Sequence, residues 1–306
     1  MYNSRNIRTN PVQGSTALSP TIRSDNENDQ WTTIIRPRSG WFDINLTELW
    51  QYRDLIRLFV RRDFVAQYKQ TLLGPLWFFV QPLLTTVVFT MVFGRIANIP
   101  TDGVPDFLFY LSGTVCWQYF STSMILNSDT FVLNAGMFGK VYFPRLAVPV
   151  SIVISGVFKF LIQFGLFLIF LLYFFLKGSS VGLSIWAIAL PLLLIQMGLL
   201  GIGCGILVSS LTTKYQDLRH VVAFGVQLWM YATPVVYPLS VVPEHLRDVF
   251  ALNPMMAVVE TFRLGFVGVS AINGTYVAIS WAVTLAILVI GLARFSSVEK
   301  TFMDTV

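Results

Sequence analysis

The residues that could do chemistry are few, and none forms a reactive set. His220 and His245 have no second ligand at metal spacing, and Cys116 and Cys204 fall singly inside apolar runs. The 306 residues contain no phosphate-cradling G-x-x-x-x-G-K-[ST] loop. The long apolar runs hold no Asp or Glu near their centres, where proton- and sodium-coupled carriers place their coupling groups. Asp102 and Asp106 are the one close carboxylate pair beside such a run. The expectation is no catalytic residue, no metal and no cofactor in this chain.

The runs carry instead neutral-polar and aromatic side chains in stripes. Tyr110, Thr114, Trp117, Ser121 and Met124 follow helical steps along one face. Lys159 and Gln163 share a face further on, as do Gln227, Tyr231 and Pro234, with Tyr237 and Pro238 at the end of that run. Polar groups in a bilayer favour the protein interior or a wet cavity. Aromatic rings offer flat apolar faces, and Tyr and Trp add a polar tip. Such a lining suits a chain of sugar rings, each with a C–H face and a hydroxyl rim. For any single residue, ordinary helix packing or an interfacial aromatic belt is the competing explanation. Gly201 and Gly205 make a G-x-x-x-G step that lets helices approach closely, within one chain or between two.

The elements that must position these residues follow from composition. The chain is 55% hydrophobic and 12% charged, with a mean hydropathy of +0.65. Soluble domains carry about 25% charged residues, so the expected class is an all-α polytopic membrane protein. Residues 1–42 are polar and aperiodic and are expected to be disordered. No apolar h-region follows the first basic residues, so no signal peptide is expected. Residues 43–70 read as an amphipathic interfacial helix, with Asn45 and Glu48 as its capping box. Leu49, Tyr52, Ile56, Phe59, Phe64 and Tyr68 form its apolar face. A transmembrane domain at 71–298 then holds six spans, at about 76–97, 106–127, 148–176, 183–210, 220–238 and 275–295. Residues 128–147 read as a loop and 299–306 as a tail. Val242-Pro243 and Asn253-Pro254 each resemble a helix start. They predict two short helices, at about 243–251 and 254–267, that enter and leave one face of the membrane or, alternatively, a plain loop. Glu260 and Arg263 are spaced to pair on the second.

Charge orients the set. Ten of the 21 Lys and Arg precede residue 76. With both termini cytoplasmic, seventeen basic residues fall inside and four outside, as the positive-inside rule requires. The net charge of +5 is therefore explained by membrane orientation, and no nucleic-acid partner is expected.

Four segments together resemble one family. RDFVAQYKQTLLGPLWFFVQPLL is similar to the entry signature of ABC-2 type permeases that export polysaccharides. NAGMFGKVYFPRLAVPV resembles that family's cytoplasmic loop after span two. YATPVVYP and LNPMMAVVETFR resemble the end of span five and the outer re-entrant helices. The resemblance covers about 45–295 and is strongest toward O-antigen exporters, with teichoic acid and capsule exporters nearby. KYQDLRH departs from it, since the family often has Arg where this chain has Gln216.

The resemblance implies a homodimer with two copies of a separate ATPase, which binds ATP and Mg, in the bacterial inner membrane. The substrate would be a lipid-linked polysaccharide. Arg53, Arg61, Arg62, Asp63, Lys69, Lys140 and Arg145 would contact the ATPase. Leu73, Gly74, Pro75 and Trp77 would form the cytoplasmic mouth. Tyr110, Thr114, Trp117, Ser121, Lys159, Gln163, Gln227 and Tyr231 would line the channel. Tyr237, Pro238, Asn253, Pro254, Glu260 and Arg263 would gate its outer end. Two alternatives stand beside it: export of a small lipid or drug, and a membrane-embedded enzyme acting on lipid-linked sugar.

Overall fold

Backbone groups in an apolar surround must be satisfied within the chain, and helices do this locally. The computed structural model is accordingly helical: residues 46–69, 74–212 and 217–305 are described, and among them there is no strand. They belong to the second of two units, Gly40–Val306. Segment 1–42, Asn45 and Leu73 lie outside the described residues, as does the side chain of Pro75.

The interfacial helix is two helices, α1 (Leu46–Gln51) and α2 (Arg53–Tyr68), broken at Tyr52. Ile56 and Phe59 are buried, with Leu49 and Tyr52 packed beside them. A short 3-10 turn, Gly74–Leu76, leads into α3 (Trp77–Phe89), which widens into a π-helical stretch, Thr90–Ile96. Pro82 lies within α3 without ending it.

Next come α4 (Asp106–Ser128), α5 (Thr130–Phe138) and α6 (Ala147–Leu176). The expected loop at 128–147 therefore contains a helix. Phe131 and Phe138 of α5 are buried with Ile56, Phe59, Phe143 and Phe295, which gives α2 a protein surface to rest on. A 3-10 turn, Ile185–Ala189, opens α7 (Leu190–Thr212). The remaining helices are α8 (Leu218–Tyr231), α9 (Glu244–Ala251), α10 (Pro254–Phe266) and α11 (Gly274–Thr305). The last runs on past the expected end of its span, into the expected tail.

Among the described residues, four helical segments are long and apolar enough to cross a membrane: Trp77–Ile96, Ala147–Leu176, Ile185–Thr212 and Gly274–Phe295. The bent pair α9–α10, with 107° between its members, could count as a fifth. Two expected spans differ from these. The first, α4, has 23 residues, of which seventeen are buried. It packs on α3, α6, α7 and α10 and so needs no lipid-compatible surface. Its polar residues bond to their own helix: Thr114 Oγ1 donates to Tyr110 O at 2.7 Å, and Asn127 Nδ2 to Ser123 O at 2.8 Å. The second, α8, ends at Tyr231, seven residues before the expected boundary. Pro234 and Pro238 lack the N–H groups that a continued helix would use.

The glycine step of α7 works inside the chain. A Cβ on Gly201 would sit 2.8 Å from Ser123 Cβ of α4, and Gly205 meets Asn127 more closely still. Only hydrogen at these positions lets α4 and α7 touch along their length.

Candidate substrate cavity and opposite polar cluster

At the end of the bundle that carries α2 and α5, the helices leave two adjoining cavities. The smaller, about 270 Å³, lies between α3, α4 and α6. Its wall includes Gly74, Trp77, Gln81, Gln118, Lys159 and Gln163. The larger, about 610 Å³, reaches Arg62 and Asp63 of α2 and Asn134 of α5. Thr122, Gly156 and Lys159 border both. Residues assigned from sequence to three separate roles thus meet around one space: Arg62 and Asp63, Gly74 and Trp77, Lys159 and Gln163.

Each is placed by its element. Gly74 has φ +49°, a left-handed conformation that starts the turn before α3 and brings Trp77, half exposed, to the cavity edge. Arg62 bonds its neighbour Asp63 at 2.8 Å and lies over the Phe59 ring at 4.9 Å. Lys159 lies over the Phe78 ring at 5.9 Å. Gln118 Nε2 donates to Thr122 Oγ1 at 3.3 Å. This is the face of α4 next to the expected stripe, and sequence reading missed it. The i, i+4 polar pair was its available signal.

The stripe itself lies elsewhere. Tyr110, Thr114, Trp117 and Ser121 are buried within the chain and are not in the wall of either cavity. Trp117 packs against Phe120 and Trp229 at 5.3 and 6.3 Å between ring centres. Gln227 and Tyr231, by contrast, are exposed on α8. Of the residues assigned to an ATPase contact, Arg53, Arg61, Lys69 and Lys140 are exposed, whereas Arg145 is buried over the Phe138 ring. Close to α5, Arg219 Nε sits 2.9 Å from Asp129 Oδ1, and Thr212 Oγ1 donates to Ser128 O at 2.7 Å. These bonds tie the α4–α5 break to the α7 and α8 ends.

The opposite end holds a buried polar cluster. Asn253 caps α10 by accepting from Met255 N at 3.1 Å, with Pro254 next in the first turn. Its amide donates to Thr233 Oγ1 at 2.8 Å. Arg263, 2% exposed, donates to Pro234 O at 2.6 Å, to Val235 O at 2.8 Å and to Glu260 Oε1 at 3.1 Å. Its guanidinium lies 3.7 Å from the Phe109 ring centre, and Ser112 Oγ accepts from its Nε. Ser270 donates to the other Glu260 oxygen at 2.7 Å. Arg263 therefore satisfies two carbonyls of the irregular segment that follows α8. The expected i, i+3 pair is present, while its wider role depends on contacts distant in sequence. Tyr237 is partly buried and bonds Tyr231 O at 3.2 Å, while Pro238 is buried.

Asp102 and Asp106 do not act together here: Ser240 donates to Asp102 and Thr101 to Asp106. Among the described residues no group of three His, Cys, Asp or Glu side chains could hold a metal.

This arrangement joins an all-helical membrane body, a cavity with mixed polar and apolar walls at one end and a broken helix pair at the other. A family model described as "ABC-2 type transporter" matches residues 54–267, most of the chain, including the cavity residues and Asn253, Glu260 and Arg263. The chain belongs to the ABC-2 type transporter family. One relative is the O-antigen export system permease protein RfbA of Klebsiella pneumoniae, 27% identical over 252 residues, 82% of this chain and 94% of the relative. The RfbA protein of Myxococcus xanthus is 29% identical over 224 residues, 72% and 82% of the two chains. The capsule polysaccharide export inner-membrane protein CtrC of Neisseria meningitidis serogroup A is 26% identical over 262 residues, 79% and 91%. The ABC-2 body thus extends across α2 to α10, with α11 completing the packing against α7.

Proposed function

We propose that this chain is the membrane subunit of an exporter that moves a lipid-linked polysaccharide, in the first place O-antigen, across the bacterial inner membrane. The observation that carries the reading is the near full-length similarity to O-antigen export permeases. The cavity, large enough for a drug-sized or sugar-bearing group, supports it. Energy comes from a separate ATPase, because the chain has no nucleotide loop of its own.

In this reading the assembly is a homodimer with two ATPase copies that bind ATP and Mg. The cavity end faces the cytoplasm, as do both termini. The exposed residues Arg53, Arg61, Lys69 and Lys140 meet the ATPase, and Arg145 supports that surface from beneath. The path crosses six spans: the four apolar segments plus α4 and the α8 segment through 238. The pair α9–α10 enters and leaves the outer face, where Arg263 holds the broken end of α8. Gln227 and Tyr231 line the path together with Lys159 and Gln163. Nucleotide shifts the complex between closed and open forms by favouring one ATPase arrangement.

The test is a reconstituted complex in vesicles. Delivery of lipid-linked O-antigen to the far side, dependent on ATP, is the expected result. Steady ATP hydrolysis without glycan movement overturns the reading. A preference for capsule polysaccharide over O-antigen would place the chain with the CtrC-like relatives instead.

A further inference from the structure

A lysine well inside an apolar helix needs a reason. Lys159 is twelve residues past the start of α6, about 18 Å along its axis. A charge within a membrane helix is costly, and such residues mark ligand paths. Buried cations are normally paired. The Lys159 ammonium has no hydrogen bond or direct ion pair among the described residues; it lies over the Phe78 ring, and the Asp63 carboxylate attracts it across the larger cavity. The cavities it borders contain one other cation, Arg62, and one carboxylate, Asp63. Those two bond each other at 2.8 Å. Two cations thus share one carboxylate, which leaves a net positive charge at the point where the two cavities join, and Lys159 is the cation without a direct contact to Asp63.

We propose that Lys159 binds the phosphate of a membrane-borne lipid headgroup, and that the smaller cavity takes the polar unit attached to it. Gln81, Gln118 and Gln163 offer amide donors and acceptors along that cavity, and Trp77 offers a flat ring. Along the α4–α6 wall, Ser123 and Ser155 carry hydroxyls with no partner among the described residues. The lipid could be the transported glycan carrier or a bulk phospholipid, since both present phosphoryl oxygens. The proposal rests on the transport reading only for the choice between them.

The test uses the full-length chain in an uncharged detergent without phosphate, with tritiated farnesyl diphosphate-linked N-acetylglucosamine as probe. Lys159→Gln should weaken binding at least tenfold, and Lys159→Arg should stay within about threefold of the parent. A farnesyl glucosaminide without phosphate should bind parent and Lys159→Gln alike. Competition by phosphatidylglycerol at equal potency assigns the site to phosphate alone, and weaker competition shows that the sugar is read as well. Both results uphold the phosphate site. Should Lys159→Gln fail to fold, amine acylation of the parent protein, mapped by mass spectrometry, gives a second readout. The probe should protect Lys159 and leave Lys140 unprotected. Unchanged binding in Lys159→Gln, or no protection of Lys159, overturns the site. Binding through Lys159 without glycan export would remove the transport reading and leave the site. Export with undiminished Lys159→Gln activity and binding would do the reverse.

Discussion

Arg263 shows how much one side chain can hold in place. Its guanidinium satisfies two carbonyls and one carboxylate in a region that excludes water. Arg263→Met should destabilise the protein by about 3–5 kcal/mol, because it leaves Glu260 charged, buried and without its cation. Thermal unfolding in detergent measures this, and replacing Glu260 as well should recover part of the loss. A parent-like transition in the single variant would show that water already reaches the cluster. Gly74 is a different case. Its φ of +49° is costly for any residue with a Cβ, by about 1–2 kcal/mol. No atom lies within 4 Å of where that Cβ would be, so Gly74→Ala acts on the backbone alone. The variant should assemble and hydrolyse ATP while exporting poorly. Normal export would reduce the turn to a simple connector. The Glu260–Arg263 spacing and the glycine before proline were both legible in the sequence. The carbonyl partners of Arg263 were not, because they lie 28 and 29 positions away.

Among the elements, α5 is the one that sequence reading took for loop. TFVLNAGMF lacks a clean helical period and contains Gly136 and Asn134. Tertiary contacts make it a helix: Phe131 stacks on Phe295 at 4.9 Å, and Phe138 packs at a tilt against Phe143 at 5.6 Å. Phe131→Ala should cost about 3–5 kcal/mol and loosen α2 from the body. Co-purification of the ATPase with the variant should fall while the membrane body stays folded, as judged by retained probe binding at Lys159. Retention of the ATPase at parent levels would separate α5 from that contact. For α4 the lesson is reversed. Its polar stripe is real as a pattern, but Tyr110, Thr114, Trp117 and Ser121 are buried against neighbouring helices, and Thr114 bonds its own helix backbone.

At the scale of the whole molecule, the transport reading makes its own prediction about aromatic residues. Tyr231, 43% exposed on α8, can be cut to Ala with little effect on folding. Tyr231→Ala should slow export of long glycan several-fold and barely affect a short lipid-linked disaccharide, as measured in vesicles. Equal effects on both would argue against sliding contact with the sugar chain. Trp117→Ala is a poorer probe of the path, because Trp117 is 5% exposed and its loss would leave a void against Trp229.

What the sequence determined by itself was the class, the apolar segments and the family resemblance. These depend on composition and on order along the chain, which need no folding to be read. Helix starts at Pro254 and after Pro243 were equally local, since proline and the Asn253 cap act within one turn. Only the tertiary structure decided which face of α4 borders a cavity and which charges stand near Lys159. It also decided where the seven residues after α8 find their hydrogen bonds. Each of these depends on which helices become neighbours. That choice is made by close packing at Gly201, Gly205 and the phenylalanine clusters, and no period along one helix records it.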